Sequence, residues 1–283
     1  MSYPKSIDTL VADIYKLFDG HDVSPENAKV FGDTIAELIT RRLGEKRGGF
    51  TLRMSSVGKP DRQLWYDKHS PETKEPLPSN VKFKFLFGDI IEAIILFLAK
   101  EAGHTVENEQ RELVVNGVVG HTDGTIDGTL IDVKSASTFS FKKFKEGSLI
   151  DDDPFGYLEQ LAGYNEDVKA ERAGFVAVDK TLGHITFMPV DADYLKGLNV
   201  PDRIEHLKEV LEQPEPPERC YDPVPEGESG NLKLDINCSY CDHKFECWKD
   251  ANNGFGLRTF LYSKGPTHFV HIEKEPRVIE ITF

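Results

Sequence analysis

Long apolar runs are missing from this chain, and so is any excess of positive charge. The longest apolar stretch, residues 86–99, contains Asp89 and Glu92 and falls short of the roughly 20 residues that a bilayer-spanning helix needs. No membrane partner is therefore expected. Acidic residues number 48 against 34 Lys and Arg, and the formal net charge of −14 argues against unspecific binding to polyanions. Any nucleic-acid partner needs a local basic patch. No helix-turn-helix, finger or RRM pattern appears, so sequence-specific readout is not indicated. The opening MSYPKSIDTL lacks the basic-then-apolar order of a secretory signal, and a cytoplasmic protein, of a bacterium or a virus-infected host cell, is expected. Cysteine is scarce and crowded: all four, Cys220, Cys238, Cys241 and Cys247, fall in one segment. In a reducing compartment such crowding points to a metal and not to disulfides.

What is present reads as α/β. Helical periodicity covers residues 6–18 and 25–43, the second with Ser24 as N-cap and Pro25 at the first helical position, and Gly48-Gly49 ends this arm. A helix is expected over 55–66, a loop over 71–80, and a helix from Gly88 to about Lys100. A three-stranded meander follows over 105–115, 118–126 and 130–135, with turns at Asn116-Gly117 and Asp127-Gly128. Beyond it come a helix over 155–168, strands over 174–178 and 185–190, a helix over 192–211, a proline-rich acidic stretch over 214–225, the cysteine segment, and strand-like stretches at 257–262 and 277–283. There is no internal repeat. Four parts are expected: a helical arm (1–48), a core (49–212), a cysteine segment (213–256), and C-terminal strands packing on the core (257–283).

Charges inside the meander need a reason. In GHTDGTIDGTLIDVKSAS, residues 120–137, Asp132 and Lys134 lie two apart on a strand and leave the same face, while Val133 points to core. Asp123, on the antiparallel neighbour, reaches that face if the register follows the Asp127-Gly128 turn. Two carboxylates ~4 Å apart repel by ~4 kcal/mol at an effective dielectric of ~20, a penalty that a divalent cation removes. Hard oxygen donors with positions left for water and phosphate suit magnesium, and Lys134 beside them suits an attacking water. The plainer alternative is a surface ion pair on a solvated sheet. Asp127 reads as a turn residue.

The segment resembles the PD-(D/E)XK nucleases, in particular the RecB-like exonuclease branch. Gly120 to Asp123 matches that branch's Gly-x-x-Asp, Asp132-Val133-Lys134-Ser135 its Asp-x-Lys with a following Ser, Gln160 and Tyr164 its Gln-x-x-x-Tyr helix, and Gly88 to Glu92 its upstream acid-bearing helix. The resemblance implies a restriction-endonuclease-like mixed central sheet flanked by helices. It also implies one or two Mg2+ or Mn2+ ions on Glu92, Asp123, Asp132 and the Val133 carbonyl, with Lys134 serving the water and Gln160 and Tyr164 holding the substrate. On sequence alone, Asp89 and Glu92 could instead be a capping box at a helix start, and Gln160 and Tyr164 a polar helix edge. His121 reads as structural.

Cys238-x2-Cys241-x5-Cys247 resembles the C-terminal part of the [4Fe-4S] site of RecB-like nucleases, including AddB-type and CRISPR-associated exonucleases. Their fourth cysteine lies far upstream; here GKPDRQLWY has Pro60 and Asp61 in its place. Either Cys220 is the fourth ligand, the economical choice because thiolate is the favoured donor, or Asp61 is, or the site is incomplete; zinc is the alternative to iron and sulfur. For DNA, expected as a single strand or as duplex ends, FSFKKFK supplies Lys142, Lys143 and Lys145 among aromatics. A second basic group, Arg41, Arg42, Lys46 and Arg47, reads as a solvated helix face. The expected activity is a metal-dependent DNA exonuclease of viral or recombination and repair processing, with a recombination or replication protein as a further partner. The alternative is a non-catalytic DNA-end-binding or assembly module that keeps the fold.

Overall fold

The computed structural model describes residues 5–44 and 48–282. Lys46 and Arg47 of the expected basic group lie outside the described residues. The chain divides into two compact units, one of Met1–Gly58 with Leu77–His206, the other of Lys59–Pro76 with Leu207–Phe283.

In the first unit, helices α1 (Leu10–Leu17) and α2 (Pro25–Gly44) form where helical periodicity predicts them, and Ser24 Oγ caps α2 by accepting from Asn27 N at 3.1 Å. A mixed five-stranded sheet has the order β1-β4-β5-β6-β7. Its strands are β1 (Val106–Glu107), β4 (Gly124–Ile126), β5 (Thr129–Ala136), β6 (Ala173–Asp179) and β7 (Ile185–Val190). Within this sheet β5 and β6 pair in parallel and the other neighbouring strands antiparallel, so the connection between β5 and β6 must cross over, and it does so through α5 (Thr138–Glu146) and α6 (Tyr157–Val168). Alternation sends Ile131 and Val176 to one face, where they pack with Ile7, Leu10, Ile14, Ile91, Ile95 and Ala99. Phe175 points to the other face and meets Phe144 of α5 edge-on at 5.7 Å. Helices therefore flank both faces of the sheet, as expected.

The meander differs from expectation. Instead of three continuous strands, β2 (Glu112–Val115) and β3 (Val118–His121) form a separate two-stranded ribbon closed by Asn116-Gly117, both at positive φ. The chain is then pinned at Thr122, whose N–H donates to the Arg111 carbonyl and whose hydroxyl donates to the Asn108 carbonyl. It re-enters the main sheet as β4 only at Gly124, where φ of 150° suits glycine. The two-residue Asp127-Gly128 loop sets Ile126 opposite Thr129, as the primed turn requires.

Helix α4 (Ser79–Glu101) begins nine residues before the expected Gly88. Its buried stripe, Ile91, Ile95, Leu96 and Ala99, starts late, and the first turns expose Phe83, Phe85 and Phe87, so apolar periodicity gave no sign of them. Asp89 and Glu92 are consequently inside the helix, and the capping-box alternative fails. The helix expected over 55–66 is interrupted: a single 3-10 turn over Met54–Ser56 precedes Gly58, where an added Cβ would stand 2.3 Å from the Gly156 Cα. The helix expected over 192–211 breaks into Ala192–Gly197 and Val200–Leu211 at Asn199, which adopts φ of 44°.

The second unit holds α3 (Asp61–His69) and a sheet of order β12-β10-β11-β9-β8. These strands are β8 (Val224–Pro225), β9 (Leu232–Lys233), β10 (Arg258–Tyr262), β11 (Gly265–His271) and β12 (Glu280–Ile281). Strand β11 is new relative to the sequence reading, and the strand expected over 277–283 is confined to β12. Leu234, Trp248, Ala251 and Val270 form its small core, with Cys238 and Cys247 packed against it. Among the described residues, no helix is long and apolar enough to cross a membrane.

Candidate active site

The register of β4 on β5 assembles the expected acids. Gly124 lies opposite Ile131, so Asp123, one residue before it, comes beside the Asp132-Val133 peptide, and its Oδ2 accepts from Val133 N at 2.6 Å. Asp132 is buried on β5, and Lys134, two residues on, brings Nζ to 2.6 Å from its Oδ2. Among the described residues, Oδ2 is a buried polar atom whose close contact is this ion pair with Lys134. Glu92 enters from α4, where Gln110 Nε2 donates to its Oε1 at 2.7 Å.

Electrostatics tie the three acids together. Burial, opposed by the Gln110 hydrogen bond and reinforced by Asp132 and Asp89, pushes the Glu92 carboxyl up to about 7. Burial and then the charges of Asp132 and Glu92 raise Asp123 well above the usual carboxylate range. Asp132 is raised by burial despite Lys134. Burial alone would lower the Lys134 ammonium, but Asp132 and Asp123 reverse this and raise it. Lys134 is therefore a fixed cation among acids that resist ionising together.

The α6 residues continue the chain of contacts. Lys134 Nζ donates to Gln160 Oε1 at 3.2 Å, and Gln160 Nε2 donates to the Tyr164 hydroxyl at 2.7 Å. The pair four apart on one helical face is thus an ordered relay from the lysine and not a loose polar edge. Gly120 explains itself here: a Cβ would stand 2.8 Å from Tyr164 Cε1 and 2.7 Å from Met54 Cβ, so only glycine lets the buried tyrosine ring in. Tyr157 was not foreseen; its ring lies 4.3 Å beneath Lys134 Nζ, and its place three residues before Gln160 was the available signal. Gln110, in a left-handed turn at φ of 51°, carried no signal in sequence.

A cavity of about 1210 Å3 adjoins the acids and is lined by Arg42, Asp89, Glu92, His121, Asp123 and Tyr164 among others. His121 is exposed at its rim and sits 3.6 Å from Glu112. Arg42 departs from the solvated face expected of it, because it holds Asp89 through two hydrogen bonds of 2.7 Å. The basic aromatic segment also departs. On α5, Phe141 and Phe144 are core while Phe139 is exposed, and Lys143 is committed to Asp152 at 2.5 Å, which leaves Lys142 and Lys145 exposed with Phe139 as the segment's one exposed ring.

In the second unit the four thiols are neighbours. Burial first and the charges of the other three push Cys238 up to about 12, and burial with Cys247 and Cys220 pushes Cys241 up to about 11, against a backbone hydrogen bond from His243. Cys220 is raised by burial and partly relieved by backbone N–H groups of Arg62 and Gln63 at the start of α3. Arg62 Nε lies 3.2 Å from Cys247 Sγ. Among the described residues, however, no three Cys, His, Asp or Glu side chains converge closely enough to enclose a metal ion. The expected ligand shells, thiol and carboxylate alike, are present as donors but not as closed cages; Asp123 and Glu92 are instead turned to Val133 N–H and the Gln110 amide.

No family model and no curated protein sequence matches the chain. Among solved structures it is similar to that of SSO0001, at 14% identity over 76% of this chain and 93% of that one, with a TM-score of 0.43. It is similar also to an alkaline exonuclease from Laribacter hongkongensis, at 18% identity over 62% and 94% of the two chains, TM-score 0.38. A phage-related exonuclease from Haemophilus somnus 129PT aligns at 12% identity over 71% and 92%, TM-score 0.31.

Proposed function

We propose that the chain is a metal-dependent DNA exonuclease of PD-(D/E)XK type, RecB-like in its motif order. The observation that supports this best is the crowding of Glu92, Asp123 and Asp132 around a single lysine, with Asp132 buried and its Oδ2 in ion-pair contact with Lys134. Such a set fits a divalent cation: hard oxygens, a surplus of negative charge, and a cavity beside it for substrate. Glu92, Asp123, Asp132 and the Val133 carbonyl would hold one or two Mg2+ or Mn2+ ions, which when bound supply a Lewis acid for the phosphate and an acidified water. Lys134, cationic and held by the Tyr157 ring and the Gln160 carbonyl, orients the attacking water and offsets charge that grows on the phosphoryl oxygens. Gln160 and Tyr164 position the scissile phosphate next to the acids. Lys142 and Lys145 contact phosphates farther along the strand. In the second unit, Cys220, Cys238, Cys241 and Cys247 would ligate a [4Fe-4S] cluster, with zinc as the other occupant of a four-thiolate set. The mutual influence of the four thiols and the N–H donors offered to Cys220 favour it over Asp61 as the fourth ligand.

The test is cleavage of end-labelled single-stranded and duplex DNA with Mg2+, Mn2+ or EDTA. Wild-type protein should release nucleotides only with metal, and Asp132→Asn or Lys134→Met should lower the rate by on the order of 100-fold or more while circular dichroism shows the fold retained. A wild-type rate in either purified variant would overturn the assignment.

A further inference from the structure

The first turns of α4 carry an arrangement that the reading above does not use. Positions three and four apart on a helix form one stripe, and on α4 the stripe Lys82, Phe85, Asp89, Glu92, Leu96 runs from the exposed helix start into the acid cluster. Asp89, Glu92 and Leu96 line the large cavity. Phe85 is 47% exposed and has no ring partner among the described residues, and Lys82 beside it is exposed. Phe85 precedes Glu92 by seven residues, a rise of ~10 Å. On the adjoining stripe, Phe83 and Phe87 are 62% and 42% exposed, with ring centroids 6.3 Å apart, and Lys84 is exposed between them.

We propose that Lys82 and Phe85, seconded by Phe83, Lys84 and Phe87, form a platform on which a single DNA strand stacks and is led toward Glu92, Asp123 and Asp132. The proposal rests on the nuclease reading of that acid site. Its occupant follows from chemistry. A stripe of rings alone would suit any apolar partner, but here Lys82 and Lys84 stand three residues before Phe85 and Phe87 and share their helix faces, setting an ammonium beside each of these two rings as a single strand sets phosphate beside base. A strand bound there would offer base faces to the rings and phosphates to Lys82 and Lys84, and it would approach the crowded carboxylates with part of its charge already neutralised. In a protein of net charge −14 this local pairing of cation and ring is what a nucleic acid needs.

The test separates binding from cleavage. Fluorescence anisotropy of a short fluorescein-labelled oligothymidylate in EDTA should show Phe85→Ala binding ~5- to ~150-fold more weakly, the range for loss of one base stack. Phe85→Trp should retain wild-type affinity while Phe85→Leu behaves as alanine does, because stacking needs a π-face and plain apolar contact does not. Lys82→Gln with Lys84→Gln should flatten the slope of log affinity against log salt by ~0.7 per lost contact. Unchanged affinity in Phe85→Ala overturns the platform, as does full affinity in Phe85→Leu. A change of sedimentation in Phe85→Ala without a change in oligonucleotide affinity also overturns it, assigning the face to a second copy of the chain. Metal-dependent cleavage is scored separately: if Asp132→Asn abolishes it and Phe85→Ala leaves both cleavage and affinity intact, the platform falls and the nuclease stands. If wild-type protein binds through Phe85 but cleaves nothing, the nuclease reading falls alone.

Discussion

Replacing Glu92 by Gln should stabilise the metal-free protein at pH 8, an outcome opposite to that of most substitutions at a polar site. The carboxyl is pushed from an ordinary value of 4.5 up to about 7, so at pH 8 the folded protein must ionise a group that it holds protonated more tightly than the unfolded chain does. Because the folded state binds the extra proton between 4.5 and about 7, stability falls as pH rises through that window and is independent of this group below it. The full displacement corresponds to roughly 3 kcal/mol at 1.36 kcal/mol per pH unit. Gln keeps the shape and can still meet the Gln110 amide, and it removes one charge that raises Asp123. We expect a gain of about 1–3 kcal/mol at pH 8, read as a rise of ~2–4 °C in Tm per kcal/mol for a chain of this size, and no gain at pH 4. The assay is thermal unfolding by circular dichroism in EDTA across pH 4–8. Mg2+ at pH 8 should restore much of the difference to the wild type by binding the folded state. Parallel curves for wild type and variant, or a variant less stable at pH 8, would refute the electrostatic account of the site.

Three further outcomes are expected. Gly120→Ala should destabilise the protein by about 1–3 kcal/mol in chemical denaturation, since its methyl group meets Tyr164 and Met54 well inside contact distance. Anaerobically purified protein should be brown, with broad absorption near roughly 400 nm and iron by metal analysis; Cys220→Ser should bleach it, and colourless protein with stoichiometric zinc would refute the iron–sulfur assignment. Lys142→Gln with Lys145→Gln should reduce the salt dependence of single-strand binding by ~0.7 log units per lost contact while turnover at saturating DNA is kept.

The parts of the fold that could be read from sequence are those written in local chemistry. The Asp127-Gly128 turn fixed the register that brings Asp123 to Val133 N–H, and period-two alternation put Asp132 and Lys134 on one face. The break between β3 and β4 was hidden because Thr122 is held by Arg111 and Asn108 carbonyls, contacts from a loop that no local pattern announces. The basic aromatic segment was only partly legible for a related reason. FSFKKFK has rings at positions that suit either stacking or a buried helix face, and tertiary contacts divide them: Phe144 meets Phe175, on a strand about thirty residues away, and is buried with Phe141, while Phe139 stays exposed. The early start of α4 escaped notice because its first turns bury nothing, so there was no apolar stripe to detect.

Arg42 shows how a tertiary contact can change the charge count of a site. Read from sequence, Arg42 belonged to a solvated face and Asp89 entered only through the capping-box alternative; in the fold the two form a bidentate pair beside Glu92. The charge of Asp89 is thereby offset, although Asp89 still acts to raise Glu92. Glu92, Asp123 and Asp132 against Lys134 then leave two negative charges when all are ionised, which one divalent cation balances and a monovalent ion does not. Breaking the pair with Arg42→Gln would return Asp89 to the count and raise Glu92 further, since Asp89 already acts in that direction. The variant should therefore require a higher pH for half-maximal cleavage at fixed Mg2+, because the proton competes more strongly for Glu92. A profile that moves to lower pH, or does not move, would show that Arg42 serves the packing of α2 on α4 and not the electrostatics of the site.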